Sequence, residues 1–113
     1  MYDIKFATPS GADWAEIIEA IDDDTNRPLS QIDDGLIELQ VRDRCGAPVL
    51  TVSTDDGTIT RPTSGQFQWR IPKERMSGLC IGTTYRVGCR ITLDGQTTNL
   101  FTGDLAYIDG EFK

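Results

Sequence analysis

The chain has 113 residues, 38% of them apolar, no histidine and a formal net charge of -7. That length fits one domain burying roughly two thirds of the surface its unfolded chain exposes, the missing imidazole removes every mechanism that needs a histidine base or ligand, and apolar runs of a few residues are too short to span a bilayer. Residues 1–38 hold ten of the eighteen acidic groups against Lys5 and Arg27, giving that part -8 and the remainder +1, so the concentrated basic surface that displaces counterions from phosphates is missing and direct nucleic-acid binding is not expected.

In chain order, "MYDIKFATPSG" has no basic flank leading into an apolar stretch and no small-residue cleavage site, so no secretion leader is expected. Residues 1–12 read as an arm or edge strand, and the protein as one made in the cytoplasm. In "GADWAEIIEAIDDDTNRP" the apolar residues Trp14, Ile17, Ile18 and Ile21 recur at helical spacing, with Asp13 placed to cap such a helix. The three isoleucines favour a strand, and a strand is the expectation for 14–21. The next stretch, "DDDTNRPLSQID", sets oxygen-bearing side chains at the first, third, fifth, ninth and twelfth positions (Asp22, Asp24, Asn26, Ser30 and Asp33), the spacing of a calcium-binding loop. Arg27 stands where that loop needs glycine, Asp33 replaces its bidentate glutamate, and no exit helix is expected. A solvated acidic loop is the reading, with no metal and no cofactor.

"GLIELQVRD" alternates Ile37, Leu39 and Val41 against Glu38, Gln40 and Arg42; Cys45-Gly46 then turns the chain into "PVLTVST", whose Pro48 suits a strand start. A turn at Asp55 to Gly57 precedes "GQFQWRIP", with Phe67, Trp69 and Ile71 inward and Gln66, Gln68 and Arg70 outward. "PKERMSGL" reads as a short helical turn near 72–79 that bridges two sheets. "GTTYRVGCRITLDGQTTNLFTGDLAYIDG" reads as one long hairpin closed at Asp94-Gly95, a favoured two-residue turn, with Tyr85, Val87, Cys89, Ile91, Phe101, Leu105 and Tyr107 inward. Residues 111–113 are left as a tail. These short alternating runs predict one all-β sandwich of about seven to nine antiparallel strands over residues 13–110.

No residue pattern carries chemistry. Cys45, Cys80 and Cys89 are an odd number with no CxxC pair, which fits neither a disulfide framework nor a zinc site. Cys89 is in phase with the inward set and reads as a small core hydrophobe; Cys45 lies in a turn without a histidine to activate it. Ser10, Ser53, Ser64 and Ser77 lack both a histidine partner and a nucleophile elbow, and Asp55-Asp56 is a solvent-facing turn rather than a buried catalytic pair. No enzymatic activity is expected.

The order "WAEIIEAI", "D...PLS", "ELQVRD", "VLTVST-DDGTI", "GQFQWRIPKERMSGL", "GTTYRVGCRITLDGQT" and "NLFTGDLAYIDG" resembles a family of small tailed-phage structural domains similar to the immunoglobulin-like N-terminal domain of phage baseplate upper proteins. The similarity covers about residues 13–110; Gln31 and Ile32 depart from it, standing where the family usually has threonine and glycine. The resemblance implies an immunoglobulin-like sandwich and a strand at 14–21. It also implies a non-enzymatic role in a virion, in the tail, baseplate, neck or capsid surface, with other virion proteins as partners. The charge asymmetry adds a candidate docking scheme: Asp22, Asp23 and Asp24 on one copy against Arg42, Arg44, Arg70, Arg86 and Arg90 on another, closing a ring. Two other readings stay open, an adhesion or carbohydrate-binding module, for whose exposed platform only Trp14 and Trp69 are large enough although Trp69 reads as core, and an acidic inhibitor of a host protein.

Overall fold

Period-two alternation of apolar and polar residues becomes strand wherever it occurs in this chain. The computed structural model describes residues 2–22, 27–28, 31–63 and 65–110. In chain order the strands are β1 (Tyr2–Pro9), β2 (Trp14–Glu19), β3 (Ile21–Asp22), β4 (Arg27–Pro28), β5 (Leu36–Arg42), β6 (Pro48–Ser53), β7 (Ile59–Thr60), β8 (Gln66–Ile71), β9 (Thr83–Leu93) and β10 (Gln96–Ile108). A five-stranded sheet, β1-β10-β9-β5-β6, packs on a three-stranded sheet, β2-β8-β7, and β3 pairs with β4 as a separate ribbon. The all-β sandwich is therefore present, with β3, β4 and β7 adding two-residue pieces to the strands expected.

The long hairpin forms as its turn chemistry dictates. Asp94 and Gly95 both have positive φ, 52° and 79°, the combination that a two-residue turn needs to match strand twist. All seven residues assigned inward on β9 and β10 are buried. Between Asn99 and Phe101 the pairing with β9 slips. The extra residue, Leu100, re-phases β10 so that Phe101, Leu105 and Tyr107 meet the core.

Two details differ from expectation, and a third, the role of Asp13, was not expected from the sequence. β1 runs parallel to β10, Tyr2 opposite Phe101 through Pro9 opposite Ile108, so the larger sheet is mixed rather than antiparallel. Gly103 is what allows this approach, since a Cβ built there would lie 2.0 Å from the carbonyl oxygen of Ile4. A second helical turn, α1 (Gln31–Asp34), precedes β5 and buries Ile32 completely. Asp13 does not cap a local helix. Its carboxylate instead accepts from the Lys73 backbone N–H at 2.9 Å and from Arg70 Nε at 3.2 Å, tying the start of β2 to the end of β8.

The Lys73 backbone N–H, and after it Arg70, hold the Asp13 carboxyl below the ordinary aspartate value of 3.8. A depressed carboxyl stabilises the fold above its unfolded-state pKa, and the contribution is lost as pH falls through the folded value. Asp13→Ala should accordingly lower the thermal midpoint at neutral pH, and the gap from wild type should begin to narrow as the pH approaches 3.8 and close only below the lower, folded-state value.

The strand assignment for 14–21 holds for β2 and β3, and the helical spacing has a different cause. Trp14 is buried while Ile17, on the outer side of edge strand β2, is 64% exposed. The short helical turn is a 3-10 turn at Lys73–Met76, entered from Pro72, and it carries the chain from the smaller sheet to the larger. Past it, the Tyr85 hydroxyl accepts from the Cys80 backbone N–H at 2.7 Å, the geometry of a tyrosine corner in Greek-key sandwiches. Tyr85→Phe removes that acceptor and should cost about 1 to 2 kcal/mol, read from chemical denaturation.

Candidate interaction surface

Burial pushes the Cys89 thiol up to about 12, which fits its core role, while Cys45 and Cys80 are exposed and apart from any disulfide. Asp56 is held in its turn by the backbone N–H groups of Ser53 and Thr58. No group of three or more His, Cys, Asp or Glu that could hold a metal occurs among the described residues. Of the candidate calcium loop, Asp24, Asn26 and Ser30 lie outside the described residues, as do the side chains of Asp22 and Asp33; Asp23 of the acidic docking segment lies outside them too. Among the described residues no helix is long and apolar enough to cross a membrane.

The aromatic platform required for carbohydrate binding is not formed by the residues considered for it. Trp14 and Trp69 are both in the core, edge to face with ring centroids 5.3 Å apart.

The surface with most structure is the outer face of the five-stranded sheet. Strand register lays its side chains in rows. Asp3, Thr102, Gly88, Gln40 and Thr51 form one row. On one side of it lie Lys5, Asp104, Arg86 and Arg42; on the other, Asn99, Arg90, Glu38 and Ser53. Gly88 has no side chain to fill the middle, and a depression of about 430 Å³ opens there, rimmed by Gln40, Arg42, Thr51, Arg86, Arg90 and Asn99.

The charges around it are unevenly matched. Arg90 Nε donates to Glu38 Oε1 at 3.0 Å. Arg86 pairs with Asp104 and lies 4.0 Å from Asp3. Arg42 sits directly opposite Arg86 and donates through Nε to Gln40 Oε1 at 2.6 Å; Gln40 Nε2 in turn donates to Thr51 Oγ1 at 3.2 Å. Among the described residues Arg42 has no carboxylate partner. Like charges directly opposite on a sheet are destabilising, so an anionic group placed between these guanidiniums would relieve a local cost.

Of the arginines proposed as one face, the structure brings together Arg42, Arg86 and Arg90. Arg70 belongs to the other sheet, paired to Asp13, and Arg44 to the turn after β5. The expectation of a single face carrying all five is corrected: β8 is in the other layer, and residue spacing along the chain does not reveal the layer. The Gly88 depression and the Arg42–Arg86 juxtaposition were not legible in the sequence, because both depend on the β5–β9 register.

No protein-family model matches the chain, and no curated protein matches it.

Proposed function

We propose that this protein is a non-enzymatic structural domain that docks onto protein neighbours through the outer face of its five-stranded sheet, as a component of a tailed-phage virion. The observation that carries the docking face is Arg42 opposite Arg86 beside the Gly88 depression, with the terminal nitrogens of Arg42 uncommitted to any carboxylate among the described residues. A guanidinium fork of this kind suits a carboxylate on a partner. The virion assignment rests on the order and spacing of the motifs from "WAEIIEAI" to "NLFTGDLAYIDG". It makes other virion proteins, and copies of this chain in a ring, the partners, in the tail, baseplate, neck or capsid surface. Assembly takes place in the host cytoplasm, and neither nucleic acid nor membrane insertion is involved.

Two variants test the face without disturbing the core. Arg42→Ala removes one of two opposed cations, and Gly88→Ala adds a Cβ that meets nothing within 4 Å. Both should keep the wild-type thermal midpoint to within about 1 kcal/mol of stability. Attachment to particles lacking the protein should weaken in both. Wild-type attachment by both variants would exclude the face, and absence of the protein from mass spectra of purified particles would exclude the virion role.

A further inference from the structure

We infer that the tip of the long hairpin, the β10 edge at Gln96–Asn99, is a strand-pairing site for the same edge of a second copy of this chain. The inference goes beyond the docking face, which lies over Gly88.

Among the described residues, backbone pairing leaves this edge open. Gln96 to Asn99 pair with Leu93 to Arg90 of β9 on one side. On the other side, β1 begins its pairing only at Phe101. All four residues are exposed. An open edge of this sort is a template for another strand, and folded proteins usually blunt such edges with charge, proline, covering groups or shortness.

The remaining edges of this sandwich are blunted in those ways. β1 carries exposed Asp3 and Lys5 and ends in Pro9. β6 starts at Pro48, and Arg75 Nη2 reaches over to donate to the Thr51 carbonyl at 3.2 Å. β2 carries Glu16 and Glu19, and β7 is two residues long. Only "QTTN" has neither charge nor proline nor, among the described residues, a group lying over it.

The occupant follows from self-complementarity. A two-fold axis normal to the sheet, midway between the two Thr97 residues, sets Thr97 beside Thr97 of the second copy and Gln96 beside its Thr98. Outer-face residues then meet outer-face residues, as antiparallel pairing demands. Hydroxyls meet hydroxyls and amides, a favourable cross-strand combination, and none of the paired residues Gln96, Thr97 and Thr98 carries a charge. The hydroxyl of Thr97 already lies 3.0 Å from that of Thr92, which holds it on the outer face. Three residues a side, Gln96 to Thr98, make a weak contact, suited to copies concentrated in an assembly.

Amide NMR spectra recorded from dilute to about millimolar protein read such a contact directly. Wild type should show concentration-dependent shifts confined to 96–99 and their neighbours. Thr97→Lys and Thr97→Glu each place like charges face to face across the axis, and each alone should associate roughly fivefold or more weakly. Mixing the two should restore association, and unchanged signals from the core residues report that both are folded. Shifts that do not depend on concentration, shifts centred elsewhere, or self-association of either variant equal to wild type would overturn the inference.

Discussion

Trp69→Ala should destabilise the domain by about 3 to 5 kcal/mol, a large part of the 5 to 15 kcal/mol typical of a domain's total. Trp69 is fully buried at the junction of the two sheets. Its ring is 5.3 Å from Trp14, 5.8 Å from Phe6 and 6.2 Å from Phe101, and is stacked on the last. Truncation removes a contact from β1, β2 and β10 at once, and rings held by three different strands cannot all collapse into the cavity. One opposing contribution is that the buried indole Nε1 has no hydrogen-bond partner among the described residues, so the variant is spared a polar burial cost of about 1 to 3 kcal/mol. Trp69→Phe separates the two effects: it should lose much less than the alanine variant in chemical denaturation. An unchanged midpoint for Trp69→Ala would contradict the phase of β8.

Gly103→Ala is the second large effect, and it acts through backbone rather than packing. The added Cβ would fall 2.0 Å from the Ile4 carbonyl oxygen and 3.0 Å from its carbon, and neither atom can rotate away as a side chain does. β1 must therefore lift from β10 along its middle. Losing that seat withdraws Phe6 from the aromatic cluster and exposes Leu105 and Phe101 at the sheet edge. The expected loss is on the order of 2 to 4 kcal/mol, with hydrogen exchange of β1 amides becoming fast while those of β5 and β9 stay protected. Gly88→Ala, in the neighbouring strand, is the internal comparison, because its Cβ meets nothing within 4 Å. Equal effects of the two substitutions would show that close approach at Gly103 is not what matters.

Alternation within a strand is a local property, and the sequence carried it for β5, β8 and the β9–β10 hairpin. Ile37, Leu39 and Val41, then Phe67, Trp69 and Ile71, and the seven inward residues of the hairpin were all legible from neighbours two positions apart, as was the Asp94-Gly95 turn. The helical spacing of Trp14, Ile17 and Ile18 misleads because an edge strand leaves one apolar side chain, Ile17, in solvent. Ile32 was not legible as core: a four-residue turn is too short to show periodicity.

Tertiary pairing alone decided the rest. The parallel seating of β1, the bulge that re-phases β10, the separation of Arg70 from Arg42, Arg86 and Arg90, and the open edge at Gln96–Asn99 each depend on which distant residues lie opposite one another. Register is set by burying one face of a sheet against the other layer, a condition on residues far apart in the chain. The sequence by itself determined which side chains face in along β5, β8 and the β9–β10 hairpin, and only the folded structure decided which of the outward ones share a surface.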